Sequence, residues 1–481
     1  MAKSIKKNYI FNLSYQIFAI LTPIITAPYL ARIFGADGVG VISYTEAVVS
    51  YFVLFANMGI SIYGQREISY YRDDMDKRSI IFWNVQLLKF ITTIVSLVLY
   101  GFFTAFVAQK STRFLYSVLS IQIISVVTEV VWFFQGLEEF GKVVARNVIV
   151  KIIGLIYIFT AVNSSDDIAL YLVGIVGIGL LSGVCLWGYL PKYIRKISFC
   201  DLKPFSDIKV VIALFIPTIA IQIYSVVDKT MIGIITQNSY QNGYYEQAIK
   251  IVRVALTVIT ALGPVVIPRI GYYFQNKMFD EMKSCVYRGY NFALFLAVPM
   301  CVGMVIIAEY FVPWFFGAGY EGATPILQVL SLLFIAIGIN MVTGNQYMIP
   351  TKKERVYTFT VIVGACVNFF LNIFFIYYWR AMGAAIASVV AETVIAVLQL
   401  IIVRKELSIK KILHSGFNYF LAAIVMGIVL MFEKTMVSAT TGGIVIMVAG
   451  GMITYIAVLL LVKDDFVISN TRLITKRIYK K

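Results

Sequence analysis

One histidine in 481 residues, His414, and five irregularly placed cysteines leave little material for metal or nucleophile chemistry. Cys185, Cys200, Cys285, Cys301 and Cys366 show no paired ligand spacing, and most fall in or beside apolar stretches, where cysteine serves as a small hydrophobe. No catalytic residue, metal or cofactor is therefore expected, and with no P-loop any energy source must be an ion gradient, the membrane potential or consumption of a product. Charge is also scarce and lopsided, with 25 acidic against 41 basic side chains and a net charge of +16. In a soluble protein that balance would suggest nucleic acid. Here 60% of the chain is hydrophobic and the mean hydropathy is +0.84, which places it among membrane proteins. Anionic lipid headgroups, not nucleic acid, then account for the basic excess.

What the chain does have is apolar blocks of membrane length. A hydrocarbon core of roughly 30 Å needs about 20 apolar residues per helix, and about fourteen such blocks can be drawn. They run near 9–31, 39–62, 80–107, 114–135, 147–162, 168–190, 210–235, 249–270, 287–308, 325–348, 357–378, 382–403, 412–432 and 441–462. The first block is too long for a cleavable signal and has no small-residue cleavage site, so it reads as a span. The segments between blocks alternate in charge. Lys3, Lys6 and Lys7, then Arg66, Arg72, Lys77 and Arg78, then Lys192, Arg195, Lys196 and Lys203 mark one side. Residues 163–167, 237–246 and 309–322 carry no Lys or Arg at all. The positive-inside rule then puts both termini of a multi-pass membrane protein in the cytoplasm.

The second half echoes the first at an offset of 203 residues: Gly40 aligns with Gly243, Arg66 with Arg269, Tyr70 with Tyr273 and Met75 with Met278. An offset spanning six helices restores the same membrane orientation, so the expected architecture is all-α, with two pseudo-symmetric six-helix bundles and two extra C-terminal helices. The expected parts are an N-terminal lobe at 1–190, a linker at 191–209, a second lobe at 210–404, two helices at 405–462 and a basic tail at 463–481.

Polar residues recur on single faces of these helices at about 100° per residue. Asn8, Asn12, Gln16 and Thr26 share a face with Pro23; Glu46, Ser50, Asn57 and Ser61 form a second stripe. Thr218, Gln222, Ser225 and Lys229, flanked by Asp228, form a third, and Lys250, Arg253 and Thr257 a fourth. The first pair of helices matches the second pair under the repeat. Ionisable groups in hydrocarbon cost at least about 2.5–3.5 kcal/mol, so such faces should line water or pair internally. Along them Arg32, Lys229, Lys250 and Arg253 outnumber Glu46 and Asp228, a balance suited to an anionic headgroup such as a diphosphate. Glu129 and Glu392 lie well inside their spans and are the candidates for ion coupling. Asn12, Gln16, Asn368 and Asn372 fit interhelical hydrogen-bond glue, and Lys151 fits snorkelling. Lys89 lies deeper.

Several motifs in order resemble polysaccharide repeat-unit flippases of the Wzx type. They are Pro28-Tyr-Leu-Ala-Arg-Ile-Phe-Gly35 with Gly38-Val-Gly40, Asn57-Met-Gly59 with Gly64-Gln-Arg-Glu-Ile68, and Trp132-Phe-Phe-Gln-Gly136. Asn242-Gly-Tyr-Tyr-Glu-Gln-Ala248, Pro268-Arg269 and Phe316-Gly-Ala-Gly-Tyr-Glu-Gly-Ala-Thr-Pro325 continue the series. The resemblance covers the first twelve spans. It implies membership of the multidrug/oligosaccharidyl-lipid/polysaccharide exporter superfamily and alternating access between two lobes. It also implies a non-enzymatic flippase carrying undecaprenyl-diphosphate-linked oligosaccharide to the outer leaflet for capsule, O-antigen or exopolysaccharide. Arg32, Arg66 and Arg269 carry over by motif match, and the other charges rest on the stripes. Membrane lipids are implied partners, with polymerase machinery and an H+ or Na+ counter-ion as candidates. The alternatives are a lipid II or teichoic-acid precursor flippase and a drug/cation antiporter, although an antiporter for cations would want an acidic chamber.

Overall fold

The computed structural model describes residues 5–198 and 202–469, with side chains other than those of 5–20, 217, 220, 221, 223–225 and 415. Cys200 and the side chains of Asn8, Asn12, Gln16 and Ser225 lie outside what is described. All regular structure within them is helical. The long elements are α1 (Ile5–Asn57), α2 (Ile60–Tyr70), α3 (Met75–Phe102), α4 (Arg113–Thr128), α5 (Val131–Gly136), α6 (Phe140–Ala161), α7 (Ile168–Trp187) and α8 (Ile208–Thr236). They continue as α9 (Ser239–Thr260), α10 (Gly263–Gln275), α11 (Phe279–Phe316), α12 (Ala323–Leu330), α13 (Leu333–Asn340), α14 (Glu354–Val403), α15 (Ile409–Met436) and α16 (Thr441–Leu461). A π-helical stretch, Met341–Met348, follows α13.

Ten helices in the described residues are long and apolar enough to cross a membrane, or eleven if the bent pair α9–α10 forms one span. The protein is a multi-pass membrane protein. The sequence blocks number about fourteen, and breaks inside helices are one source of the difference. α14 runs for 50 residues but leaves helical geometry at Arg380 (φ 52, ψ −131). Gln399 Nε2 donates to Thr360 Oγ1 at 3.1 Å across 39 residues, and Asn368 Nδ2 reaches Ser388 Oγ at 3.4 Å. In a straight helix those 39 residues would span about 58 Å at 1.5 Å each. α14 is therefore an antiparallel helical hairpin folded at Arg380. α1 also leaves helical geometry, at Gly35 (φ 63, ψ 179).

The breaks follow the repeat. Adding 203 to Gly35 gives Asn238, the N-cap of α9, and adding 203 to Gly59, the N-cap of α2, gives Leu262, the N-cap of α10. The chemistry of the second break differs between copies. Met58 and Gly59 adopt positive φ, whereas α10 carries Pro264 as its second residue, which lacks the N–H that a continuing helix would use.

Close packing divides the chain into two compact units, with the division after Thr230 inside α8. In the first unit, α3 is inverted relative to a soluble helix. Ser79, Gln86, Lys89, Thr93, Ser96 and Tyr100 face inward, while Phe90, Ile94, Val98 and Phe102 are exposed. This is the pattern expected when lipid, not water, covers the outer face. Two apolar clusters fill the unit, one around Val49, Leu119, Ile123 and Leu172, the other around Phe82, Trp132, Phe133 and Leu186. In the second unit, α11 packs against α13, α15 and α16, and α15 pairs with α16.

Candidate functional site

The most developed polar constellation of the first unit surrounds a helix break. α4 ends at Thr128 and α5 starts at Val131, so the carbonyls of the last turn of α4 lose their helical partners. Three side chains replace them. Gln86 Nε2 donates to the carbonyl of Val127, Trp187 Nε1 to that of Thr128 at 2.8 Å, and Lys89 Nζ to that of Glu129 at 2.8 Å. Lys89 is fully buried, with Ser61 Oγ at 3.5 Å and Glu129 Oε2 at 3.8 Å. Ser61 in turn donates to Asn57 Oδ1 at 2.7 Å. The Glu129 carboxylate also accepts the N–H of Val131 at 2.8 Å, which caps α5, and its side chain keeps 39% exposure. One residue thus serves the break three ways, and its carboxylate still reaches open space.

The remaining candidates of this unit are spread along α1, α2 and α8. Arg32 is exposed; Glu46, Asn57, Gln222 and Lys229 are half-buried, and Asp228 is buried. Tyr51 OH and Thr230 Oγ1, 3.1 Å apart, tie α1 to α8 beside Asp228 and Lys229. Arg66 pairs with Glu67 at 2.8 Å and lies over the Tyr63 ring at 5.7 Å.

The second unit repeats part of this arrangement. Arg269, the repeat partner of Arg66, lies over the Tyr273 ring at 5.5 Å and donates to its hydroxyl at 2.9 Å. Both arginines therefore sit on the short helix that follows a break, each against a tyrosine of its own helix. Lys250 pairs with Glu246 at 3.5 Å one turn earlier on α9, and Arg253 is exposed. Glu392 Oε2 accepts from Asn340 Nδ2 at 2.5 Å, and Asn340 also reaches the Glu392 carbonyl at 3.1 Å. Asn340 is the last residue before the π-helical stretch, a distortion often found at functional positions. Each ion-coupling candidate is thus set against a helix irregularity, Glu129 in the first unit and Glu392 in the second. Outside the spans, Glu406 takes hydrogen bonds from Lys353 and Tyr347. Burial pushes its carboxyl up, but those partners outweigh it and hold the group below the usual glutamate range.

Asn57, Lys89 and Glu129 are brought together; Arg66, Lys250 and Arg269 are engaged by neighbours on their own helices. Gln86, Trp187 and Asn340 were not singled out from sequence. Gln86 and Asn340 do leave a trace there, as amides deep in apolar blocks; Trp187 leaves none, because only the break gives its N–H an acceptor. Among the described residues no cluster of three or more His, Cys, Asp or Glu could hold a metal.

Comparison with known proteins adds three findings. A protein of Escherichia coli K12 assigned as an O-antigen transporter is 22% identical over 412 residues, covering 84% of this chain and 97% of that protein. The lipid II flippase MurJ of Bacillus subtilis 168 is 24% identical over 374 residues, covering 70% of this chain and 66% of that protein. The solved structure of a lipid II flippase MurJ in an inward closed conformation superposes with a TM-score of 0.75 at 16% identity, covering 95% of this chain and 100% of that one. The fold is therefore MurJ-like. The model of the family described as polysaccharide biosynthesis protein matches residues 5–274, more than half of the chain, and the protein belongs to that family.

Proposed function

We propose that the protein is a flippase that moves undecaprenyl-diphosphate-linked oligosaccharide repeat units from the cytoplasmic to the outer leaflet by alternating access. It acts as a carrier, not a catalyst. The observation that carries this reading is the family match over residues 5–274, joined to near full-length similarity with a protein assigned as an O-antigen transporter. Arg32 and Lys229 in the first unit, and Lys250 and Arg253 in the second, contact the diphosphate during transit, with Glu46 and Asp228 balancing charge in the empty state. Arg66 and Arg269, each held over a tyrosine, engage the headgroup at the basic, cytoplasmic ends of the helices. Asn57, Gln222 and Ser225 offer hydrogen bonds to the sugars. Glu129 and Glu392 exchange H+ or Na+ during return. Both termini face the cytoplasm, and the polymerase machinery receives the product.

Deletion of the gene, followed by leaflet-resolved analysis of lipid-linked intermediates, tests the reading. The oligosaccharide diphospholipid is expected to accumulate on the inner leaflet and surface polymer to disappear. Accumulation of lipid II instead would reassign the cargo. Arg253→Gln should fail to complement the deletion at normal protein level, and Arg253→Lys should restore part of the export because charge survives while the bidentate fork is lost. Full export with Gln at both Lys250 and Arg253 would reject the cationic contact.

A further inference from the structure

The second unit carries a small aromatic pocket whose lining residues lie outside the polar stripes. Three chain corners build it: the start of α9, the loop before α12, and the fold of the α14 hairpin. A cavity of about 210 Å³ is lined by Gln241, Tyr244, Gly322, Tyr378, Trp379 and Arg380, among others. Gly322 is required there, since a Cβ would collide with the Tyr244 ring. Gln241 Oε1 accepts the N–H of Ala381 at 3.2 Å, which locks the hairpin corner against α9. Tyr244 is held edge-on to the buried Tyr320 ring at 6.4 Å.

Arg380 is the unexpected residue. Its φ of 52° and ψ of −131° belong to a region that favours glycine, and the comparable corner of α1 does carry one, Gly35. Among the described residues its guanidinium has no hydrogen-bond or ion-pair partner, and the side chain is exposed. It is also the one basic residue at three corners otherwise free of Lys and Arg, 237–246, 309–322 and 377–382. Strain and placement against the charge rule both require another source of selection. Tyr378 and Trp379 beside it are 72% and 52% exposed, with Tyr378 set edge-to-face with Tyr377 at 5.2 Å and Trp379 tilted against Phe375 at 5.1 Å. Flat aromatic faces beside an unengaged guanidinium and a fixed carboxamide suit a pyranose ring. Its C–H face stacks on an aromatic, and its hydroxyls or a carboxylate take planar donors.

We propose that this pocket is a glycan subsite on the outer face, binding one sugar ring of the translocated oligosaccharide; the assignment of face and cargo rests on the function proposed above. Its volume is below the roughly 300 Å³ of drug-sized sites, so one ring fits and a whole repeat unit does not. An interfacial aromatic belt, the other role for exposed Tyr and Trp, would need neither the guanidinium nor the pocket.

The test uses purified full-length protein in detergent. The probe is the host's own repeat-unit oligosaccharide, freed from its lipid by mild acid, read by saturation-transfer NMR. Wild type should show saturation of one sugar ring. Trp379→Ala and Arg380→Gly should each weaken binding about tenfold at unchanged melting temperature, and Trp379→Phe should keep most of it. Arg380→Gly is tolerant of the corner geometry, so it removes the guanidinium and leaves the fold. No wild-type signal, or equal signals in all variants, overturns the subsite. A change in melting temperature alone, with binding intact, assigns the aromatics to the interface and also overturns it. Leaflet analysis of the deletion strain reads the translocation function separately, so either reading can fail while the other stands.

Discussion

Lys89 places an ammonium group where its side chain has no access to water, and its binding energy comes from an acceptor that the fold itself creates. The Glu129 carbonyl, freed by the break between α4 and α5, receives the 2.8 Å hydrogen bond, while the Glu129 carboxylate stands off at 3.8 Å with 39% exposure. The carbonyl contact should therefore outweigh the ion pair. Lys89→Ala is expected to lower stability by about 2–3 kcal/mol, because it removes a charge-assisted bond and orphans a buried carbonyl. Glu129→Gln should cost less than about 1 kcal/mol, since a half-open pair at that separation is screened. Thermal unfolding of the two purified variants in detergent measures the difference, and equal losses would contradict the ranking. In the sequence Lys89 is marked only by lying deeper in its span than Lys151. Depth alone does not say whether an acceptor exists, and the acceptor belongs to a helix forty residues away.

At the scale of elements, the helices are defined as much by their interruptions as by their apolar runs. Gly383 packs so closely on the Phe375 backbone that a Cβ would collide with the carbonyl oxygen, and this contact lets the two arms of α14 turn back at Arg380. Gly383→Ala should therefore destabilise by about 1–3 kcal/mol through overpacking. Gly177→Ala and Gly179→Ala in α7, where a Cβ meets nothing within 4 Å, should be neutral or stabilising by about 0.5–1 kcal/mol. Melting temperatures of the three variants provide the check. The apolar blocks were legible at once, because hydropathy over 20 residues is a local sum. The break at Glu129 was not, because Thr128, Glu129 and Val130 contain no glycine or proline to mark it. That break persists because Gln86, Lys89 and Trp187 satisfy the carbonyls it exposes.

At the scale of the molecule, the alternation of basic and uncharged loops makes a topological prediction. Single cysteines at Asn238 and Gly319, in a background lacking the five native ones, should react with an impermeant thiol reagent added outside. Cysteines at Asp74 and Lys352 should be silent until the membrane is opened. Labelling in the reverse pattern would invert the orientation and move the glycan subsite to the cytoplasmic face. The expected internal repeat can be set beside the positions of the helix interruptions. Thin sequence identity at an offset of 203 could be chance among apolar residues, but the caps at Gly59 and Leu262 lie 203 residues apart by a criterion independent of hydropathy.

The sequence by itself determined the membrane character, the helical class and the family resemblance. Each of these depends on composition or on spacing along one chain, and both survive without knowledge of contacts. Tertiary structure alone decided which polar groups satisfy one another. Glu129 became a cap and, through its carbonyl, the acceptor for Lys89, Glu392 met Asn340, and Arg380 was left unengaged beside Tyr378 and Trp379. Inside hydrocarbon a polar group is tolerated only when a partner is within reach, and partners come from helices remote in sequence. Hydropathy can therefore locate a buried charge, but only the packing of the helices shows what that charge holds.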